Sequence, residues 1–215
     1  MSASAILDSR LLPRKSSTAR RRRFPIWAII AVVVLGLGGF AAFCYFAFAY
    51  EIEEPVTEKD RQVVVTAERV ALITGVTLTD ATAGRYRKIR HLDGSRELTY
   101  EYDSDDDFSV NCEITVERSA KDATMSYAGQ RWGTKIDYQL GGAVQQTERN
   151  YLWRWGDDST CALLKVDDQE VGNLFMARKG RRFFTLTIIG VSFDEPAAIR
   201  DLLAPMLQRL ENYDG

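Results

Sequence analysis

His91 is the only histidine in the chain, so any catalysis that needs an imidazole to activate a serine or relay a proton would have to run through it. It stands beside Asp93-Gly94, a turn signal, and no G-x-S-x-G elbow accompanies it. That setting reads as a surface turn. Asp103, Asp105 and Asp107 have the first three ligand spacings of a calcium loop. Phe108, however, replaces the required glycine and Ile114 the bidentate glutamate, which excludes an EF-hand. If the strand beginning at Phe108 is followed by a helix that returns the chain to its start, the 103–107 and 167–170 turns reach the same end of a sheet. Asp103, Asp105, Asp106, Asp107, Asp167, Asp168 and Glu170 would then gather there, the one place where a metal-assisted hydrolase could be built. Arg178, Lys179, Arg181 and Arg182 would mark the opposite end. Mutual repulsion relieved by solvation is the simpler reading of the acids, and no metal or cofactor is expected.

Three cysteines are present, and Cys44 lies in a long apolar run. Cys112 and Cys161 therefore either close a disulfide in an oxidising compartment or sit as two small buried thiols. Trp153 and Trp155 alternate onto one face, where Trp132 could join them, as core or as a binding surface.

The elements that would position these residues follow from periodicity. R-Y-R-K-I-R-H-L and S-R-E-L-T-Y-E-Y flank Asp93-Gly94, which predicts a hairpin closed by a type I′ turn. Phe108, Val110, Cys112, Ile114 and Val116 alternate with polar residues, the pattern of a half-buried antiparallel strand. Ser119 with Asp122 opens a helix that puts Ala123, Tyr127 and Ala128 on one side. Turn signals at Gly156-Asp157-Asp158, Asp167-Asp168-Gln169 and Lys179-Gly180 then separate strands, and R-R-F-F-T-L-T-I-I-G-V, the most apolar, is expected at the centre. After Asp194, an expected N-cap, Ile199, Leu202, Leu203, Met206, Leu207 and Leu210 recur at helical spacing, with a bend expected at Pro205. Upstream, Thr57 with Asp60 could cap a helix, but the β-branched Val63-Val64-Val65 favours a short strand before a helical turn capped by Thr66 and ended by Gly75.

The N-terminal part answers to different physics. Ile26 to Ala49 is a run of 24 residues without a charge, about 36 Å as a helix against a hydrocarbon core of about 30 Å. Phe24 and Trp27 flank one end and Tyr45, Phe46, Phe48 and Tyr50 the other, as at two headgroup layers. The run exceeds a secretory h-region, so a retained anchor is favoured over a signal cleaved after Ala47-Phe48-Ala49, which would yield a secreted domain. Residues 1–25 carry seven Lys or Arg against Asp8, which places them on the cytoplasmic side. Residues 51–215 hold 21 basic and 29 acidic residues, net −8, which disfavours nucleic acid and anionic lipid as their partners. The organisation read from sequence is a basic disordered cytoplasmic tail (1–25), a single transmembrane helix (26–50), a juxtamembrane connector with a short helix (51–84) and an extracytoplasmic α+β domain (85–215), periplasmic in a bacterium.

V-N-C-E-I-T-V-E-R-S-A-K-D-A, then a meander, G-R-R-F-F-T-L-T-I-I-G and a terminal amphipathic helix resemble the PsbP/Mog1-like family in element order over about residues 85 to 213. The resemblance implies an antiparallel sheet carrying helices and a binding or assembly role without chemistry; it carries over no site residue. The expected function is an anchored module that binds an envelope or membrane protein. With a reporter active only outside the cytoplasm fused after Gly215, the intact anchor predicts reporter activity together with the unprocessed mass. A soluble product beginning at Tyr50 would refute the anchor, and a silent reporter would refute the orientation.

Overall fold

The computed structural model describes residues 51–78, 84–104, 107–141 and 144–215. The chain divides into two units, Met1–Phe46 and Ala47–Gly215, and every described residue belongs to the second. The tail, the apolar run, Cys44, Asp105 and Asp106 lie outside the described residues, among which no helix is long and apolar enough to cross a membrane.

The second unit is an α+β fold built on an eight-stranded antiparallel sheet of order β1-β2-β3-β4-β8-β7-β6-β5. In chain order its elements are β1 (Glu51–Glu53), α1 (Glu58–Gln62), α2 (Ala67–Thr74), β2 (Arg85–His91), β3 (Arg96–Asp103), β4 (Ser109–Val116), α3 (Ala120–Gly141), β5 (Gln145–Glu148), β6 (Asp158–Val166), β7 (Gln169–Lys179), β8 (Arg182–Ile189) and α4 (Pro196–Leu210). The apolar strand expected at the centre is β8, between β4 and β7.

One face of the sheet carries the main core. Leu98, Tyr100, Cys112, Ile114, Phe184 and Leu186 meet the buried Ile199, Leu202, Leu203, Met206, Leu207 and Leu210 of α4, and each such side chain contributes about 1.5–3 kcal/mol on leaving water. Helix α4 runs through Pro205 from Pro196 at its first turn; Glu195, not Asp194, is its N-cap, and no side chain caps it. The opposite face is covered only over β6, β7 and β8, where Ala123 and Tyr127 of α3 pack on Ala162, Leu164, Leu174, Met176 and Phe183.

Residues 51–78 are not a connector. Glu51–Glu53 pair with β2 as an edge strand, and Val63, Val64, Val65, Ala67 and Val70 are buried in the main core. Val63-Val64-Val65 forms no strand, because both capping signals act: Thr57 and Asp60 make a capping box for α1, Thr66 caps α2, and the valines link the two helices. Gly75 ends α2 in the left-handed conformation, as its position predicts.

Asp60 does more than cap. Its buried carboxylate accepts from the Thr57 amide (2.6 Å) and hydroxyl (2.8 Å), from the Lys88 ammonium (3.1 Å) and from the Tyr213 hydroxyl (2.5 Å). Burial by itself would raise this carboxyl, but hydrogen bonds from Tyr213, Thr57 and Lys88 outweigh it and hold the group below the usual carboxylate range. A second contact with the sheet is an acceptor for the helix backbone, since the Tyr100 hydroxyl accepts from the Ala67 amide at 3.0 Å and so caps α2 from the sheet.

Two turn expectations are corrected. At the β2–β3 hairpin only Gly94 has positive φ, 89°, so the connection is the three-residue loop Leu92-Asp93-Gly94 rather than type I′. The Asp93 carboxylate accepts from the Ser95 amide and hydroxyl and holds its own backbone out of the left-handed region. The two-residue turn with both φ positive is instead Asp167-Asp168, at 49° and 65°.

Because the folded Asp60 carboxyl binds its proton less readily than the unfolded one, its contribution is complete above the unfolded value and is lost as pH falls below about 4 through the folded value. Urea unfolding from pH 2 to 6 should therefore show a stability gap between wild type and Asp60→Asn that narrows toward the acid end. Lys88→Met at pH 7 should cost about 3–5 kcal/mol by stranding the carboxylate.

Candidate functional site

The strand register places Cys112 and Cys161. Cys112, Leu186, Phe175 and Cys161 form one row across β4, β8, β7 and β6. Three strand spacings of about 4.8 Å separate the cysteines by roughly 14 Å, twice the reach of about 7 Å for a disulfide. Both are free and buried, and burial pushes the Cys112 thiol up to about 12 and Cys161 to about 11. The disulfide is thus replaced by two core thiols.

The acidic turns do share one end of the sheet, since Asp103 opposes Ser109, Ser109 opposes Ile189 and Ile189 opposes Gly172. Three strand spacings still part the turn of Asp103 and Asp107 from that of Asp167 and Asp168, and among the described residues no three His, Cys, Asp or Glu side chains approach closely enough to hold a metal. The basic end is paired with three carboxylates. Arg178 pairs with Asp157 (2.9 Å), Lys179 with Glu211 (2.5 Å), and Arg181 and Arg182 share Asp214 (2.6 and 2.8 Å). His91 lies 3.5 Å from Glu97 beside its hairpin loop. The hydroxyl of Ser95, its neighbour across the hairpin, donates to Asp93 (2.7 Å).

The tryptophans part company. Trp132 projects from α3 on the far side of the sheet, 71% exposed, whereas Trp153 and Trp155 lie over the main core. Their segment is clamped at both ends. On the entry side the Asn150 side chain accepts from the Cys161 amide at 2.9 Å, continuing the β5–β6 pairing where β5 has ended. On the exit side Gly156 turns with φ 74°, and the Asp157 carboxylate accepts from the Gly180 amide and from Arg178. Between these clamps Trp153 meets Phe175 and Phe184 edge-on, each at 6.0 Å, and Trp155 meets Phe184 at 6.2 Å. Lys179 stands 5.6 Å from the Trp155 ring centre.

The half-buried indoles form one wall of a groove of about 460 Å³ whose other wall is α4. Leu152, Trp153, Trp155, Pro196, Ala204 and Leu207 supply its apolar surface, and Arg154, Arg200, Gln208 and Glu211 its polar edge. Glu211 is satisfied by Lys179, whose hydrogen bond and charge hold its carboxyl below the usual range. Arg154 and Arg200 are exposed and make no hydrogen bond or ion pair among the described residues. The lining contains no serine, threonine, cysteine or histidine, so its chemistry is that of apolar contact and ionic recognition.

Two other clefts differ in kind. One, of about 310 Å³, is lined by Arg61, Arg69 and Arg209; Arg69 donates to the Asp201 carbonyl, Arg209 to the Gln62 carbonyl, and Arg61 lies 4.6 Å from the Tyr86 ring centre. Arg69 and Arg209 so tie α2 and α1 to α4, and Arg61 ties α1 to β2. The second, of about 420 Å³, is the sheet face that α3 leaves bare, with Glu97, Thr99, Glu101, Asn111 and Glu113 among its lining. Burial and the neighbouring Glu97 push the Glu113 carboxyl up, against the hydrogen bond from Gln130.

Comparison with known proteins finds no matching family model, no matching curated protein and no matching solved structure. The groove therefore stands on its own geometry. Sequence reasoning found the tryptophans but missed Arg154 and Arg200. The signals were partial: strand alternation in W-R-W would set Arg154 on the face opposite the two indoles, whereas Arg200 follows Pro196 by one helical turn beside the apolar stripe of α4.

Gly156 is the residue that commits the chain to this arrangement, because a Cβ there would stand 2.2 Å from the Arg178 carbonyl oxygen besides needing positive φ. Gly156→Ala should release the clamp, cost about 1–3 kcal/mol and weaken the near-UV dichroism of the packed indoles. A variant with unchanged near-UV spectrum and unfolding midpoint would show that the clamp does not set the groove.

Proposed function

We propose that this chain is a single-pass membrane-anchored, extracytoplasmic binding or assembly module, with the groove between Trp153, Trp155 and α4 as its binding site. The observation that carries this reading is the pair of indoles, Trp153 held edge-on against Phe175 and Phe184 and Trp155 tilted against Phe184, with their free flank open to a groove. Aromatic anchors fixed before binding lose little conformational freedom on contact, which is how a small patch gains affinity. The anchoring half rests on the uncharged 24-residue run and the arginine-rich tail preceding it. The PsbP/Mog1-like resemblance in element order, within which binding and assembly proteins predominate, agrees with the module reading. Its partner is an envelope or membrane protein.

A photoreactive amino acid at Gln208, exposed on the groove edge, compared with one at the exposed Thr124 of α3, tests this in intact cells. The groove predicts a discrete adduct from position 208 that position 124 does not give. Identical adducts from both, or none from 208, would refute the groove as the binding site.

A further inference from the structure

We infer that the groove takes an extended acidic peptide segment of the partner, its apolar side chains on Trp153 and Trp155 and its carboxylates on Arg154 and Arg200. This rests on the groove being the binding site and adds the chemistry of what binds. The first support is charge. Lys179 and Glu211 cancel one another at one end of the groove, which leaves Arg154 and Arg200 as its uncompensated charges, a local balance of +2 on a region whose total is −8. Arg178, Arg181 and Arg182 are held by carboxylates, and Arg69 and Arg209 donate to carbonyls. A guanidinium fork matches a carboxylate through two parallel hydrogen bonds. The excess acidity of the rest of the domain is screened beyond about 8 Å at physiological salt, so it does not oppose such a ligand at contact distance.

Shape is the second support. The lining of α4 runs from Pro196 to Glu211, and 15 residues at about 1.5 Å each give a trough of roughly 22 Å. An extended strand of six or seven residues has that length at about 3.3 Å per residue, and its alternate side chains point to opposite sides. One set can reach the apolar wall while the other reaches the arginines. A lone small anion would use only a fraction of such a trough. The open, elongated form also presents no enclosed chamber for an acyl chain.

The test uses the full-length protein in nanodiscs and a rhodamine-labelled octapeptide of alternating Leu and Glu, beside its Leu/Gln and Leu/Lys counterparts, with binding read by anisotropy. The inference predicts saturable binding of the Leu/Glu peptide about tenfold or more tighter than the Leu/Gln peptide, weakening as salt rises. The double variant Arg154→Ala with Arg200→Ala should abolish that preference. Lys121→Ala, which removes an exposed charge from α3 instead, should leave it unchanged. Both arginines are exposed and unpaired, so the double variant should keep the wild-type unfolding midpoint, which is checked in the same samples. Equal binding of the three peptides, no saturable binding, or a preference that survives the double variant would overturn the inference. So would an arginine-dependent response only to added vesicles of phosphatidylglycerol and phosphatidylcholine, which would reassign the arginines to a lipid surface. If the Gln208 adduct forms in cells and these peptides fail, the acidic chemistry falls while the groove stands; loss of the adduct removes the groove itself.

Discussion

One buried carboxylate joins three parts of the chain that are far apart in sequence. Asp60 receives Thr57 from its own helix, Lys88 from β2 and Tyr213 from the C-terminal turn. Burying a carboxylate without partners would cost several kcal/mol, and attraction to one ammonium in a low dielectric offsets that only if the remaining lone pairs are also filled. Here they are filled by two hydroxyls and a backbone amide. The constraint is therefore shared: α1, β2 and the turn after α4 each supply a partner to the same carboxylate. The edge strand β1, the two short helices and the C-terminus are folded as one layer for this reason, with the valines between the helices sealing the site from water.

That layer has a second consequence on the same face of the sheet. Helix α4 buries its apolar stripe against β3, β4 and β8 and so presents a neighbouring stripe, from Pro196 to Glu211, toward β7 and the segment after β5. The eight-stranded sheet is too wide for α4 to cover. Trp153 and Trp155 close part of the remaining surface by packing on Phe175 and Phe184, and a groove remains between indole and helix. Asp157 of the exit-side clamp, together with Glu211, also engages basic residues of the β7–β8 hairpin. An end that looks strongly basic in sequence is paired with carboxylates in space, and Arg154 and Arg200 stand unpaired in the groove.

Much of the fold was legible from local rules. Alternation along 108–116 and 182–189, the helical spacing of 199–210 and the Asp/Gly turn signals all report which side of an element leaves water, and that preference is set within a few residues. The same rules misread Val63-Val64-Val65, where two helix caps outweighed β-branching. They misread Asp93-Gly94, where the aspartate bound its own backbone. They also placed a possible bond between Cys112 and Cys161, which alternation correctly puts on the buried face without saying how many strands intervene.

By itself the sequence determined an α+β chain with a central apolar strand, a terminal amphipathic helix and an uncharged run behind a positive tail, because each of these is a property of consecutive residues. Tertiary structure alone decided that Asp60, Lys88 and Tyr213 meet, that the two cysteines lie three strands apart, that the basic hairpin is paired with three carboxylates and that Arg154 and Arg200 remain unpaired beside two tryptophans. Charge pairing and strand order depend on which distant elements become neighbours, and that follows from how the faces of a whole sheet are covered, which no local pattern encodes.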